Sequence, residues 1–228
     1  MVLKNEFIHS MYWFIRLRWL AIAGVMLAVS TATKILNISL PIFPLYITVS
    51  ILAIYNLLFS IYLARMYKRP LADFPQKVNI ITNMQISLDL VCLVGLIHFS
   101  GGIENPFIFY FIFHMIIASI ILSSRAAFLQ ATFVILLFCS SVILEYFGIL
   151  NHYCLLNFII ADQHKNLIYI SEVLFVFTSS IYIAVYMATS ITKKLREKET
   201  VASNVKNCLF LTKNYVEYVR NLYRRMTN

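Results

Sequence analysis

Apolar segments long enough to cross a lipid bilayer follow one another along most of this 228-residue chain. A transmembrane helix needs about 20 predominantly apolar residues. Six segments meet or approach that length: Trp19–Leu36, Phe43–Ala64, Ile80–Phe99, Phe107–Leu122, Ala126–Phe147 and Leu167–Ile191. Only 13% of the residues are charged, whereas a soluble domain carries about 25%. The sequence therefore predicts an all-α fold, a polytopic bundle of six transmembrane helices.

Positive charges alternate between the connections, and this alternation predicts the orientation of the bundle. Cations occupy the N-terminal segment up to Arg18, the loops after the second and fourth segments, and the tail from Lys193 onward. The other connections hold only Lys34 and Lys165. Because short cytoplasmic segments carry an excess of Lys and Arg, both termini are predicted to be cytoplasmic.

Three regions follow from these boundaries. Residues 1–18 form a cytoplasmic N-terminal segment, residues 19–191 a membrane domain, and residues 192–228 a basic cytoplasmic helical tail. The tail is too short to build a core of its own without disulfides or metals. Its cations and loose apolar face are compatible with a position on anionic lipid.

One connection differs from the others, the string GGIENPF at residues 101–107. Its two glycines permit backbone angles closed to other residues, and the Asn105-Pro106 pair forces an extended or turned backbone. The string predicts a short, stiff loop on the outer side of the membrane. Such a loop either approaches a ligand closely or only supplies the turn geometry of a tight helix connection.

Asp89 lies near the middle of the third segment. An ionised carboxylate at that depth costs about 2.5 kcal/mol or more, so we expect it to be protonated, paired or directed into the bundle. One interpretation is an interhelical clamp in which Asp89 bonds Asn56 or Gln130 and fixes the packing. The alternative is proton exchange coupled to a ligand or to a conformational step.

Other polar residues share the predicted depth of the glycine string, namely His98, His114, Glu145 and Glu172. Histidine and glutamate are metal ligands, but neither an HxxxH nor an HxxE pair occurs. The four cysteines show no CxxC spacing, which argues against a zinc site or a disulfide framework. We therefore expect a polar lining or hydrated membrane-edge residues, and no metal.

Several segments together resemble the six-span sensor region of the redox-sensing histidine kinases called RegB or PrrB. The resemblance rests on the GGxxNPF string, on LRWLAIAG at residues 17–24, on LDL at residues 88–90 and on KLREKE at residues 194–199. It extends from residue 16 to about residue 200. The implied protein is a sensor that binds a ubiquinone-type quinone near the outer face of a bacterial inner membrane.

The resemblance also assigns residues. It places five in a quinone-sensing site: Gly101, Gly102, Asn105, Pro106 and Phe107. The Asn105 amide and backbone N–H groups would bond a quinone carbonyl, and Phe107, Phe109 and Phe111 would contact the ring, since such pockets are apolar with a few placed polar groups. Four further residues are candidates for lining the pocket or exchanging protons: Asp89, Glu104, His98 and His114.

The resemblance implies a homodimer, or a mixed dimer with a full-length kinase, and no contact with nucleic acid. The chain departs from the family at Val25, where the family often has Gln, and no histidine follows His164. Without a phosphoacceptor or ATP-binding motifs, the chain as written is not expected to be an enzyme. It is expected to be an input module that lacks the kinase domains.

Other functions stay open on sequence grounds. A truncated, non-functional remnant of a kinase gene would have the same membrane fold. A small transporter or channel would need charges on several helices at one depth and helices broken in mid-membrane, and only Asp89 is central. An enzyme acting on lipid is a further alternative, although no nucleophile and base stand together in the sequence.

Overall fold

The computed structural model describes residues 2–35, 38, 40–67, 74–153 and 163–226, and every regular element in these ranges is helical. The α-helices are α1 (Val2–Lys34), α2 (Ile42–Tyr67), α3 (Phe74–Phe99), α4 (Tyr110–Ile121), α5 (Ser124–Tyr146) and α6 (Leu167–Met226). Short 3-10 helices occupy Gly102–Glu104, Pro106–Phe109 and Gln163–Lys165. Leu36, residues 68–73 of the cation-rich loop after the second predicted segment, and Cys154 lie outside the described residues.

Five of the helices, all except α4, are long and apolar enough to cross a membrane. Large apolar side chains lie exposed along them, as on α2, where Phe43 is 77% and Leu58 61% exposed. A helix that is apolar on all faces is stable only inside a large protein or in lipid. The chain is therefore an all-helical, multi-pass membrane protein.

The segment predicted at Phe107–Leu122 is shorter than the others. It begins with the 3-10 turn Pro106–Phe109 and continues as α4, which has 12 residues. The Asn-Pro pair sets its start, and Leu122 leaves the helical conformation at its end. By length alone, the described part of the chain holds five spanning helices where the sequence predicted six.

Helix ends elsewhere follow the hydropathy, with exceptions at α1, α3 and α6. Helix α3 begins at Phe74, six residues before the predicted Ile80. The ends of α2 and α5 lie within three residues of the predicted ones. In contrast, α1 begins at Val2, so residues 2–18 continue directly into the first apolar segment. Similarly, α6 does not stop at Ile191 but continues to Met226.

Three phenylalanine rings join α4, α5 and α6 at the centre of the bundle. The ring centroids of Phe111 and Phe138 are 5.6 Å apart, and Phe177 lies 5.4 Å and 4.7 Å from them. All three side chains are almost fully buried, and such tilted pairs contribute about 0.5–1.5 kcal/mol each beyond their burial. Phe111, which the sequence suggested for ligand contact, is therefore part of the core.

A buried ion pair connects α1, α2 and α3. Arg18 Nε donates to Asp89 Oδ2 at 2.9 Å, and Arg18 Nη2 lies 2.8 Å from the same oxygen. The Tyr55 hydroxyl donates to the other oxygen of Asp89. Asn56 Oδ1 accepts from Arg18 Nη1 at 3.4 Å, so it supports the pair from the arginine side.

The clamp predicted at Asp89 thus has different partners from those expected. Neither Asn56 nor Gln130 bonds the carboxylate directly in the described part of the chain. Gln130 instead donates to Ser87 Oγ at 2.9 Å and to the Asn83 carbonyl at 3.2 Å, which joins α5 to α3. Arg18, counted in the sequence among the cytoplasmic cations, is buried within the bundle.

Residues up to Val185 form one compact unit, and residues from Tyr186 onward form a second. The second unit is the continuation of α6. From Lys193 to Met226 every side chain that the structure describes is exposed.

Replacing Asp89 with Asn is expected to reduce the free energy of unfolding by about 3–5 kcal/mol, because the Arg18 charge would stay buried without its partner. Unfolding of the purified protein in detergent measures the change. The control Arg16→Leu removes an exposed cation of the same helix and should change stability by no more than about 0.5 kcal/mol.

The double variant Arg18→Met with Asp89→Leu removes both charges. It should be more stable than either single variant, since no uncompensated charge remains. A double variant as unstable as Asp89→Asn would contradict the role given to the ion pair.

Candidate functional site

The glycine string reverses the chain after α3. Gly101 has φ 116° and Gly102 has φ 54°, both in the left-handed region that favours glycine. The turn that follows is closed by Glu104 N–H donating to the Gly101 carbonyl at 3.1 Å, and Asn105 N–H donating to the Gly102 carbonyl at 3.2 Å. The backbone thereby directs the Glu104 side chain into the protein, where the residue is 6% exposed.

Asn105 holds this loop together. Its Oδ1 accepts from Phe107 N–H at 2.8 Å, which caps the Pro106–Phe109 turn, and its Nδ2 donates to the Ser100 carbonyl at 2.7 Å. The residue is 2% exposed. Both polar atoms of the amide are therefore engaged within the loop, whereas Pro106 and Phe107 are exposed.

Behind the loop lies a group of acidic and imidazole side chains that we call the His–Glu cluster, formed by His98, Glu104, Glu145, His152 and His164. Glu145 Oε1 lies 2.6 Å from His98 Nδ1, and Glu145 Oε2 lies 2.8 Å from His152 Nδ1. Glu104 Oε2 lies 3.6 Å from His152 Nε2. Glu104 Oε1 accepts from His164 N–H at 3.1 Å and lies 3.8 Å from His164 Nδ1.

Helix ends and turns bring these five residues together, and Glu104 comes from the Gly102–Glu104 turn. His98 lies in the last turn of α3, and Glu145 lies in the last turn of α5. Gly148, with φ 70°, turns the chain after α5, and His152 follows. His164 belongs to the 3-10 turn Gln163–Lys165, just before α6 begins at Leu167.

Gly102 is required by the close approach of Glu145. A Cβ atom at position 102 would lie 2.4 Å from Glu145 Oε2 and 3.0 Å from Oε1. No larger residue fits there unless the carboxylate moves. The absence of a side chain at Gly102 therefore allows both the left-handed turn and the approach of Glu145.

The cluster buries two carboxylates, since the side chains of Glu104 and Glu145 are each 2% exposed. Buried carboxylates are costly unless they are paired and hydrogen-bonded, and here imidazoles supply the partners. Burial lowers the pKa of His152, but its hydrogen bond with Glu145 and the charges of Glu145 and Glu104 outweigh that effect. The pKa of His152 therefore lies above its ordinary value.

Three members of the cluster have the arrangement of metal ligands. Glu104, His152 and His164 each offer one ligand atom, and these atoms lie within 4.8 Å of one another. The rings of His152 and His164 are stacked, with centroids 3.8 Å apart and an interplanar angle of 16°. The cluster can therefore hold a cation as well as protons.

The structure brings together only some of the residues suggested by the sequence. His98 and Glu104 belong to the cluster, and Glu145 joins them. His114 points to its own helix, with Nδ1 3.2 Å from the Tyr110 carbonyl. Asp89 pairs with Arg18 in the ion pair described above.

An exposed row of aromatic rings follows the loop. Phe107 and Tyr110 have centroids 5.6 Å apart, and Tyr110 and Phe113 have centroids 6.0 Å apart. Their spacing of three residues places them on one face of the helix. Each is about half exposed, so this row offers an aromatic surface beside the buried cluster.

His152 and His164 were missed by the sequence analysis. They lie in a connection, and His164 is 60 residues from its partner Glu104. Short-range patterns such as HxxxH do not detect ligands at this separation. The only available signal was that the chain has five histidines, three of them within or beside connections on the side predicted to be outer.

Comparison of the chain with protein-family models, with curated proteins and with solved structures found no match.

Replacing Gly102 with Ala is expected to destabilise the protein by about 2 kcal/mol or more, because the left-handed backbone is strained for alanine and the new Cβ meets Glu145. Thermal unfolding in detergent measures the loss. The control Gly24→Ala lies in α1, where an added Cβ meets nothing within 4 Å, and should be neutral or stabilising. Equal effects of the two substitutions would contradict the close approach.

Proposed function

We propose that this chain is a membrane-embedded sensory input module that responds to quinone and passes the response along α6. The contact that carries the proposal is His164 N–H to Glu104 Oε1 at 3.1 Å. It joins the glycine loop to the turn from which α6 starts. A ligand that changes the loop would therefore act on the turn that leads into α6, the longest helix in the described part of the chain.

The exposed row of Phe107, Tyr110 and Phe113 is the proposed contact surface for the quinone ring. A quinone pocket needs mostly apolar and aromatic contact with a few polar groups. The row supplies the aromatic contact at the end of the loop, and the His–Glu cluster supplies groups that exchange protons. Asn105 then serves to shape the loop, rather than to bond the quinone as the resemblance implied.

The path from the site into α6 runs through packed side chains. Asn166 Oδ1 accepts from Ile168 N–H at 3.1 Å and so caps the start of α6. Further along, Ile170, Phe177 and Ile181 are buried in the core. Because packed cores favour discrete arrangements over continuous deformation, a shift at the loop would be passed on as a change in the position of α6.

The proposed orientation places the cluster on the outer side and both termini in the cytoplasm. The end of α5 and the start of α6 meet in the cluster, whereas Arg65 ends α2 and Arg125 begins α5 at the opposite end of the bundle. This distribution agrees with the excess of cations on the cytoplasmic side. In this arrangement the short helix α4, with its 3-10 turn, counts as the sixth crossing.

A binding experiment with ubiquinone tests the proposed ligand. The purified protein in lipid nanodiscs should bind ubiquinone saturably, and a saturable rise in the thermal unfolding midpoint measures binding. Phe107→Ala should weaken binding about 5-fold or more, because a ring contact of about 1–1.5 kcal/mol is lost. Phe175→Ala, on α6, removes a ring that is more exposed, at 74% against 48% for Phe107, and should leave binding unchanged.

Two results would contradict the ligand proposal. One is the absence of saturable binding to the folded wild-type protein. The other is an equal effect of Phe107→Ala and Phe175→Ala on binding, which would show that the row of Phe107, Tyr110 and Phe113 is not the contact surface.

The exposed part of α6 supports a homodimer as the assembly of the module. Apolar or small side chains recur there at alternating intervals of four and three residues, at Val201, Val205, Cys208, Thr212, Tyr215 and Val219. An apolar repeat of 3.5 residues is typical of a two-stranded coiled coil. All six side chains are exposed in the single chain, so a second copy would cover them.

Oxidative cross-linking tests this dimer with the native thiol. In a parallel coiled coil Cys208 would face Cys208 of the second copy, so mild oxidation of membranes should give a disulfide-linked dimer. Cys208→Ser should abolish the dimer band. Asn207→Cys in that background places the thiol outside the seam and should not restore the band; equal cross-linking from position 207 would contradict the assigned seam.

A further inference from the structure

We propose that Glu104, His152 and His164 form a binding site for a divalent transition-metal ion, for which zinc fits the donor set best. The inference does not depend on quinone binding. It rests on the geometry of the His–Glu cluster, on one buried nitrogen and on the charge balance of the cluster.

The three ligand atoms lie near one another, and modest side-chain movement would bring them to coordination distance. A zinc ion with bonds of about 2.0–2.1 Å holds tetrahedral ligand atoms about 3.3–3.4 Å apart. Glu104 Oε2 and His152 Nε2 are 3.6 Å apart, and Glu104 Oε1 and His164 Nδ1 are 3.8 Å apart. These two distances run to different oxygens of Glu104, and the three ligand atoms lie within 4.8 Å of one another. Binding would draw them together by up to about 1.5 Å, through rotation of the Glu104 carboxylate and of the imidazole rings about their soft terminal torsions so that the lone pairs converge.

His152 is oriented as a metal-binding histidine. Its Nδ1 faces Glu145 Oε2 at 2.8 Å, so the Nδ1 proton is donated to a carboxylate and Nε2 is left to act as a ligand. Histidines that bind metals almost always donate their other ring nitrogen in this way, and the carboxylate fixes the tautomer and raises the basicity of the ligand. Glu145 is in turn held by His98.

The Nε2 atom of His152 is the second observation that points to a ligand. It is buried, and it makes no hydrogen bond with any residue that the structure describes. The His152 side chain is 6% exposed, and Nε2 is directed toward Glu104. A buried polar atom that makes no hydrogen bond costs about 1–3 kcal/mol, and coordination of a metal would reduce that cost.

The charge of the cluster also favours a dication. Glu104 and Glu145 bring two carboxylates into a largely buried space. An ion of charge +2 balances both while the imidazoles stay neutral. Two imidazoles and one carboxylate are a common zinc donor set, and three protein ligands leave at least one coordination position for water or another ligand.

Such an ion would connect separate parts of the fold. Glu104 belongs to the glycine loop, His152 follows α5, and His164 precedes α6. The metal would therefore fix the start of α6 to the loop. The site would therefore have a structural and regulatory role that is independent of any reaction at the open coordination position of the metal.

Metal binding to the intact chain tests the inference. The protein is purified in detergent with an affinity tag that contains no histidine, stripped with EDTA and dialysed against micromolar zinc. We expect about one zinc per chain by elemental analysis and a rise in the thermal unfolding midpoint. Cobalt in place of zinc should give the visible d–d absorption of a four- or five-coordinate site.

Variants distinguish the three proposed metal ligands from Glu145, which orients His152. Glu104→Gln, His152→Ala and His164→Ala should each abolish stoichiometric zinc binding and the cobalt absorption. Glu145→Gln should reduce affinity about 10- to 100-fold, as expected for the partner that orients a ligand. The matched control His114→Ala removes a histidine outside the cluster and should bind like the wild type.

Glu104→Gln keeps the shape of the side chain and an acceptor for His164 N–H, so it is decisive if the histidine variants do not fold. Its unfolding midpoint should no longer respond to zinc. Full zinc occupancy in folded Glu104→Gln, or equal losses in His114→Ala and His164→Ala, would overturn the proposal. So would a wild-type protein that binds no stoichiometric metal.

Discussion

Charged and polar side chains inside an apolar helical bundle must find their partners within the protein, because hydrocarbon supplies no hydrogen bonds. This constraint determines how the helices of this chain can be arranged. Helices such as α2 are apolar on all faces and have little to fix their rotation about their own axes. Arg18 and Asp89 can be satisfied only together, so their pairing fixes α1 against α3, and Tyr55 brings α2 into the same contact.

The His–Glu cluster applies the same constraint at the ends of the helices. Glu104 and Glu145 are buried where α3 and α5 end, and imidazoles from the last turn of α3 and from the connections provide their partners. Backbone geometry makes this possible, since Gly102 leaves room for the Glu145 carboxylate and Asn105 holds the turn. A loop that looks like a ligand-binding surface in the sequence is thus also the support of a buried polar centre.

Local hydropathy predicted much of the fold. Helices α2 and α5 end within three residues of the predicted positions, because the free-energy cost of placing a charge in lipid depends on each residue separately. Arg18 shows where this reasoning fails. From sequence it is a cation flanking a span, yet it lies inside the bundle because its partner is 71 residues away, on another helix. Likewise, Phe111 alternates in the sequence with the exposed phenylalanines Phe109 and Phe113. It belongs to the core only because it packs against Phe138 and Phe177 in the tertiary structure.

The sequence by itself determined that the chain is helical, that it belongs in a membrane and that the glycine string interrupts its apolar segments. These properties depend on short stretches of residues and on their transfer from water to lipid. Only the tertiary structure decided which polar residues meet. His152 and His164 carry no local signal of a site, and their convergence on Glu104 follows from the packing of α3 and α5 and from the turns that lead into α6. Contacts between residues far apart in the chain are set by the fold as a whole.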